Sequence, residues 1–132
     1  MKILFMCVAN SARSQMAEGL AKKLFGDEVE IRSAGSSPSK VNPLAVEVMK
    51  EAGIDISKHY SKTIDELPPQ MFIGLDYVIT LCAEEVCPFL VSKANKLRWA
   101  MPDPAGRDLA SFRQTRDAIQ AKLLAFKREL GV

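Results

Sequence analysis

The chain has 132 residues, enough for one domain over 1–132 and small for two. Hydrophobic residues make up 48% and charged residues 26%, which excludes a disordered polymer, a collagen or a disulfide-rich scaffold. Eighteen Lys and Arg against sixteen Asp and Glu leave a charge of +2, too small an excess to point to nucleic acid.

The first run, Lys2 to Cys7, is almost continuously apolar, as in a strand buried on both faces. It is far too short to span a bilayer, so no membrane association is expected. Polar residues follow it where a cleavage site would stand in a signal peptide, so the expected location is cytoplasmic. Val8 to Arg13 is small and polar and reads as a loop. From Ser14 the period changes: Met16, Leu20 and Leu24 recur every fourth residue, which predicts a helix with one buried face, ended by Gly26. Val29 to Ser33 reads as a second strand and Gly35 to Pro38 as a loop. Asn42 and Pro43 supply an N-cap and a proline for a second helix running to Gly53. A short helix is expected near Ile64 to Leu67, a third strand over Leu75 to Leu81, and a short fourth strand over Leu97 to Ala100. Met71 to Ile73 and Phe89 to Val91 fit more than one state. Leu109, Phe112, Ile119, Leu123, Phe126 and Leu130 space a long final helix, and Trp99 reads as core.

Strands alternating with helices imply an α/β fold: a single-domain, three-layer sandwich with a four-stranded parallel sheet flanked by helices, Rossmann-like in its layering. Ligands in such sheets bind beyond the carboxyl ends of the strands. Cys7 ends the first strand and Cys82 follows the third, so both thiols fall at that edge if the strands are neighbours. Three cysteines is an odd count and suits a reducing compartment, where thiols are structural, redox or catalytic.

Cys7 and Arg13 bracket the loop Val8, Ala9, Asn10, Ser11 and Ala12, which leads straight into a helix. Its N–H groups can wrap an anion and the helix N-terminus adds partial positive charge. The same field favours a thiolate at Cys7. Arg13 can grip two oxygens of a tetrahedral oxyanion, Ser14 can donate to the thiolate, and Asn10 can brace the loop. The loop would thus bind an oxyanion and aim a nucleophile at its central atom. No metal and no cofactor are expected; Cys7, Cys82, Cys87 and His59 fit no zinc spacing.

The pattern Cys-x5-Arg-Ser near the N-terminus resembles the phosphate loop of the low-molecular-weight protein tyrosine phosphatases. Asn10 to Gly19 (NSARSQMAEG) is closer to the thioredoxin-coupled arsenate reductases built on that fold. Ser33-Ala34-Gly35, Asn42-Pro43, Ile54 to Ser57, Thr80-Leu81-Cys82 and Asp103 to Gly106 extend the likeness over nearly the whole chain. Taken alone, Asp103 between two prolines reads as a turn. The resemblance implies instead a general acid that protonates the departing oxygen. Ala105-Gly106 follow it, as in the reductases, where the phosphatases usually carry an aromatic wall. Cys82 and Cys87 separate the two activities, because a phosphatase needs one thiol and a reductase must supply two electrons. Arsenate reduction implies a relay in which Cys7 attacks arsenic, Cys82 attacks Cys7, and Cys87 closes a Cys82–Cys87 disulfide. Thioredoxin is the implied reductant, with glutaredoxin and glutathione as the alternative. Phosphate and sulfate would compete, and the protein is expected to be a monomer. A phosphomonoester hydrolase using a Cys7 phosphocysteine, and a non-catalytic oxyanion or redox sensor, are the competing readings.

In the thioredoxin-coupled relatives a potassium ion can sit behind the loop. Its ligands match Asn10, Glu18 and Ser33, but Lys62 occupies the position of a fourth, an aspartate. The expectation is that Lys62 pairs with Glu18 and that potassium is not required. His59 is expected at the surface or in a turn.

Overall fold

The computed structural model describes residues 1–83, 90 and 92–132. Four parallel strands, β1 (Lys2–Cys7), β2 (Glu30–Gly35), β3 (Tyr77–Thr80) and β4 (Asn95–Arg98), stand in the order β2-β1-β3-β4. β1 is central and its residues from Ile3 to Cys7 are buried, which explains why its sequence is apolar without alternation. The sheet belongs to the α/β class expected from the alternation of elements.

Among the described residues three helices, α1 (Arg13–Phe25), α2 (Pro43–Glu51) and α3 (Leu109–Leu130), share one large core with one face of the sheet. Ile3, Phe5, Ile31 and Ile79 from the strands meet Met16 and Leu20 of α1, Val48 of α2, and Phe112 and Ile119 of α3. The opposite face carries Leu4, Met6, Ala34 and Val78. It is covered by two short 3-10 turns (Ile64–Glu66 and Pro69–Phe72), through Leu67, Met71 and Leu75. Trp99 is buried in the larger core, in edge contact with Phe126.

Several boundaries move for physical reasons. β2 runs on to Gly35 because Ala34 and Gly35 pair with Met6 and Cys7. β4 lies at Asn95–Arg98, two residues before the expected span, and is mostly exposed at the sheet's edge. An edge strand with a wet face has no apolar run to announce it. α2 starts as expected, with Asn42 Oδ1 accepting from Leu44 N–H at 2.9 Å. Met71 falls in a 3-10 turn. No helix among the described residues is long and apolar enough to cross a membrane.

Candidate active site at the C-terminal edge of β1 and β3

β1 delivers Cys7 to the carboxyl edge of the sheet, where it is 2% exposed. In the segment after β3, Leu81 N–H still bonds Met6 O, and Cys82 follows it, fully buried, at the same edge. Cys87 lies outside the described residues. Between Cys7 and α1 the chain turns through Val8–Ala12, with Asn10 in the left-handed region at φ 49°. Asparagine tolerates that region, and such a reversal helps successive N–H groups face one side.

The polarity of this loop is sorted. The Val8, Ala9 and Ser11 carbonyls accept from the N–H groups of Ser37, Ser39 and Asn42, in the segment joining β2 to α2. The Asn10 carbonyl accepts from Ser61 Oγ at 2.7 Å and Gln15 Nε2 at 3.2 Å. Among the described residues, no backbone acceptor takes the N–H groups of Val8 to Ala12. The first turn of α1 follows with no capping side chain and no acidic residue. A small buried anion would meet these donors and the helix N-terminus together. Gly35 makes the arrangement possible: a Cβ there would collide with Val8 O and Asn10 N, both backbone atoms.

Beneath the loop, Asn10 Oδ1 accepts from the Lys62 backbone N–H at 3.1 Å, a donor whose identity is fixed. That contact orients the amide, so Asn10 Nδ2 faces Ser14 Oγ and donates at 2.7 Å. The Ser14 proton is thereby directed to its other neighbour, Cys7 Sγ, at 2.9 Å. A thiolate at Cys7 therefore has a donor held in place by Asn10. Gln15 Nε2 donates to Asn10 Oδ1 (2.9 Å) and Tyr60 O (2.9 Å), which leaves Gln15 Oε1 to accept from His59 Nδ1 at 3.0 Å. His59 closes a turn, as expected, its N–H bonding Ile56 O at 3.0 Å, but its ring is half-buried against Gln15 rather than at the surface. Burial, then the charges of Lys22 and Lys62, hold its imidazole below the ordinary value despite the attraction of Glu18.

Arg13 opens α1 and is 3% exposed. Its Nη1 donates to Met101 O at 3.0 Å, and Nη2 stands 3.8 Å from Asp103 Oδ2. Asp103 makes a turn as well, its Oδ1 accepting from Ala105 N–H at 3.0 Å. One carboxylate oxygen shapes the turn and the other faces the guanidinium. Asp103 and Ala105 form one side of an open cavity of about 740 Å3 whose other wall holds Ala9, Ser11, Lys40 and Asn42. Among the described residues, no aromatic side chain lines that mouth.

Glu18 of α1 lies buried behind the loop. Its carboxylate accepts from Ser33 Oγ at 2.5 Å and Lys22 Nζ at 2.6 Å, and Lys62 Nζ stands 3.9 Å away. Burial opposes ionisation of Glu18, but the two hydrogen bonds and the charges of Lys22 and Lys62 outweigh it and hold the carboxyl below its ordinary value. Lys62 is held below its ordinary value by burial, against the pull of Glu18. Among the described residues no cluster of three or more His, Cys, Asp and Glu is placed to hold a metal ion.

Gln15, Gly35, Ser61 and the segment Ser37–Asn42 were not singled out as site residues from sequence. Gly35 and Asn42 stand in stretches that carry the family resemblance, but their roles depend on backbone contacts that no spacing records.

The family model described as low molecular weight phosphotyrosine protein phosphatase matches residues 2–131. Arsenate reductase 2 of Staphylococcus epidermidis is 45% identical over 95% of each chain. A solved arsenate reductase in a phosphate-binding state superposes with a TM-score of 0.81, at 33% identity over 97% of both chains. A thioredoxin-dependent arsenate reductase of Corynebacterium glutamicum gives a TM-score of 0.77 at 31% identity, over 98% of this chain and 61% of that one.

Proposed function

The chain belongs to the low molecular weight phosphotyrosine protein phosphatase family, and from that premise we propose that it is an arsenate reductase working through three thiols. The observation that carries the reading is one juxtaposition. A loop with its carbonyls tied outward and its N–H groups unclaimed by backbone acceptors among the described residues lies beside Cys7 at the sheet edge that also holds Cys82. The first half is what a tetrahedral oxyanion requires, and the second thiol is what reduction requires. The names of the similar proteins agree with it.

Arsenate binds on the N–H groups of Val8 to Ala12, with Arg13 neutralising its charge. The Cys7 thiolate, stabilised by Ser14, attacks arsenic and forms an S–As bond, and Asp103 gives the departing oxygen the proton with which it leaves as water. The Cys82 thiolate then attacks Cys7 Sγ. The S–As bond breaks, its electron pair stays with arsenic, and arsenite leaves. Arsenic falls from +5 to +3 while Cys7 and Cys82 become a disulfide. Cys87 attacks Cys82, releases the Cys7 thiolate and leaves a Cys82–Cys87 disulfide. A dithiol partner reduces that bond; thioredoxin is favoured by the likeness to the Corynebacterium glutamicum enzyme, with glutathione and glutaredoxin as the alternative. Glu18, Ser33 and Lys62 support the loop from behind, the Lys62 ammonium supplying the positive charge, so rates are expected to be equal in potassium and sodium.

The loop, Arg13 and Asp103 suit a phosphomonoester too, so a slow phosphatase activity through a Cys7 phosphocysteine is expected. Among the described residues the mouth has no aromatic wall to grip an aryl ester, which favours the inorganic anion. The reading is tested by one turnover without reductant. Reduced protein mixed with excess arsenate should release one equivalent of arsenite per chain and yield a Cys82–Cys87 disulfide on peptide mapping. Phosphate-ester hydrolysis with no arsenite and three intact thiols would overturn it.

A further inference from the structure

Behind the oxyanion loop, on the side away from Cys7, a cavity of about 270 Å3 opens between α1, the edge strand β2 and the segment 58–68. None of its lining residues belongs to the loop Cys7–Ser14. Four cations line it, Lys22, Arg32, Lys58 and Lys62, against two carboxylates, Glu18 and Glu66. The Glu18 oxygens are taken by Ser33 and Lys22. Arg32 Nε is shielded from solvent yet makes no hydrogen bond among the described residues, since Glu30 stands 3.9 Å away, beyond hydrogen-bond reach. The Arg32 side chain as a whole lines the basin and is 42% exposed, so an acceptor seated there can reach it. We infer that this basin is a second anion site, which takes a small dianionic oxyanion such as inorganic phosphate or sulfate.

The charge surplus is what such a ligand would neutralise. The ammonium of Lys62 is held below its ordinary value by burial first, and Lys22 and Arg32 add to the effect against the attraction of Glu18. A dianion between Arg32 and the lysines relieves that repulsion, and the Arg32 fork suits a tetrahedral oxyanion. The basin also touches the support of the catalytic loop. Lys62 N–H bonds Asn10 Oδ1, and Tyr60 O, beside His59 on its wall, accepts from Gln15.

His59 reports on this site without ambiguity, because it is the only histidine in the chain. Its imidazole faces Glu18 and Lys22 from α1, and Asp55 and Lys62 from its own segment. The experiment follows the His59 ring signals by NMR from pH 5 to 8 in sodium sulfate and in sodium chloride of matched ionic strength. Sulfate is the probe because it does not titrate in that range. The wild-type chain, Arg13→Ala and Arg32→Ser/Lys58→Ser are compared, and the loop amides of Ala9 and Ala12 are read in the same wild-type samples. A bound dianion favours the imidazolium, so sulfate should raise the His59 pKa above its value in chloride, with a saturable dependence. The rise should survive Arg13→Ala, weaken at least fivefold in affinity in Arg32→Ser/Lys58→Ser, and saturate at a different concentration from the loop amides. Equal effects of sulfate and chloride, or an unsaturating response, would mean screening or an adventitious ion only. A rise that tracks the loop amides and persists in Arg32→Ser/Lys58→Ser would place the anion in the catalytic loop. Either result overturns the second site.

Discussion

Asn10 is where local chemistry and global geometry meet. Its backbone takes a left-handed turn, its carbonyl is held by Ser61 and Gln15, and its amide passes an orientation from the Lys62 N–H to Ser14 and so to Cys7. If Ser14 stabilises the thiolate, Ser14→Ala should lower kcat/KM for arsenate by about 10- to 100-fold, the worth of a hydrogen bond to a charged group at roughly 1.5–3 kcal/mol. Steady-state kinetics checks it, and an unchanged value would remove Ser14 from the chemistry. Cys7, Arg13 and Ser14 were legible in the sequence because strand, loop and helix follow one another without a break. Gln15 and His59 were not, because their bond joins residues 44 positions apart. His59 and the buried Glu18 contribute to the acid response. His59 sits below its ordinary 6.5, so the unfolded chain takes up its proton first. Its stabilising contribution is present above pH 6.5 and is lost as pH falls toward the folded value. Glu18, also lowered, contributes above its ordinary carboxylate value and loses that contribution at lower pH still. Urea midpoints measured against pH should therefore fall in two steps, and His59→Gln should remove the upper one while leaving the lower.

Among the elements, the strand-loop-helix unit at the N-terminus depends on its neighbour β2. The extension of β2 to Gly35 brings the following segment alongside the loop, where Ser37, Ser39 and Asn42 take its carbonyls. Gly35→Ala would push a Cβ into Val8 O and Asn10 N, atoms that move only with the loop itself. The expected loss is on the order of 100-fold in kcat/KM, the usual cost of displacing a catalytic group by about an ångström, with the helix content in circular dichroism retained. Wild-type kinetics in that variant would show that the loop does not rely on β2. The long helix α3 was plain from its apolar spacing, and Phe112 within it is fully buried. Phe112→Ala should cost about 3–5 kcal/mol of folding stability in a denaturant titration. β4 was harder to place, since polar residues at a sheet edge carry no periodic signal of burial.

At the scale of the whole molecule, the fold stores its chemistry on one rim. Among the described residues, the three helices share one face of the sheet, short 3-10 turns cover the other, and the carboxyl ends of β1 and β3 remain for the loop Val8–Ala12 and Cys82. The order β2-β1-β3-β4 puts the strands bearing Cys7 and leading to Cys82 side by side, which is the condition for two thiols to share a substrate. That adjacency was conditional in the sequence, because the alternation of elements does not order the strands. The role of Cys87 is carried by the sequence pattern alone. The most direct measurement is arsenate-dependent NADPH oxidation in the presence of thioredoxin and thioredoxin reductase. Wild type, Cys82→Ser and Cys87→Ser would run side by side, each also given p-nitrophenyl phosphate. The three-thiol account predicts many turnovers of arsenate in wild type, a stall in both variants, and ester hydrolysis that all three retain. Ester hydrolysis equal in all three, with no arsenate turnover in wild type, would contradict it and leave a phosphatase whose second and third cysteines take no part.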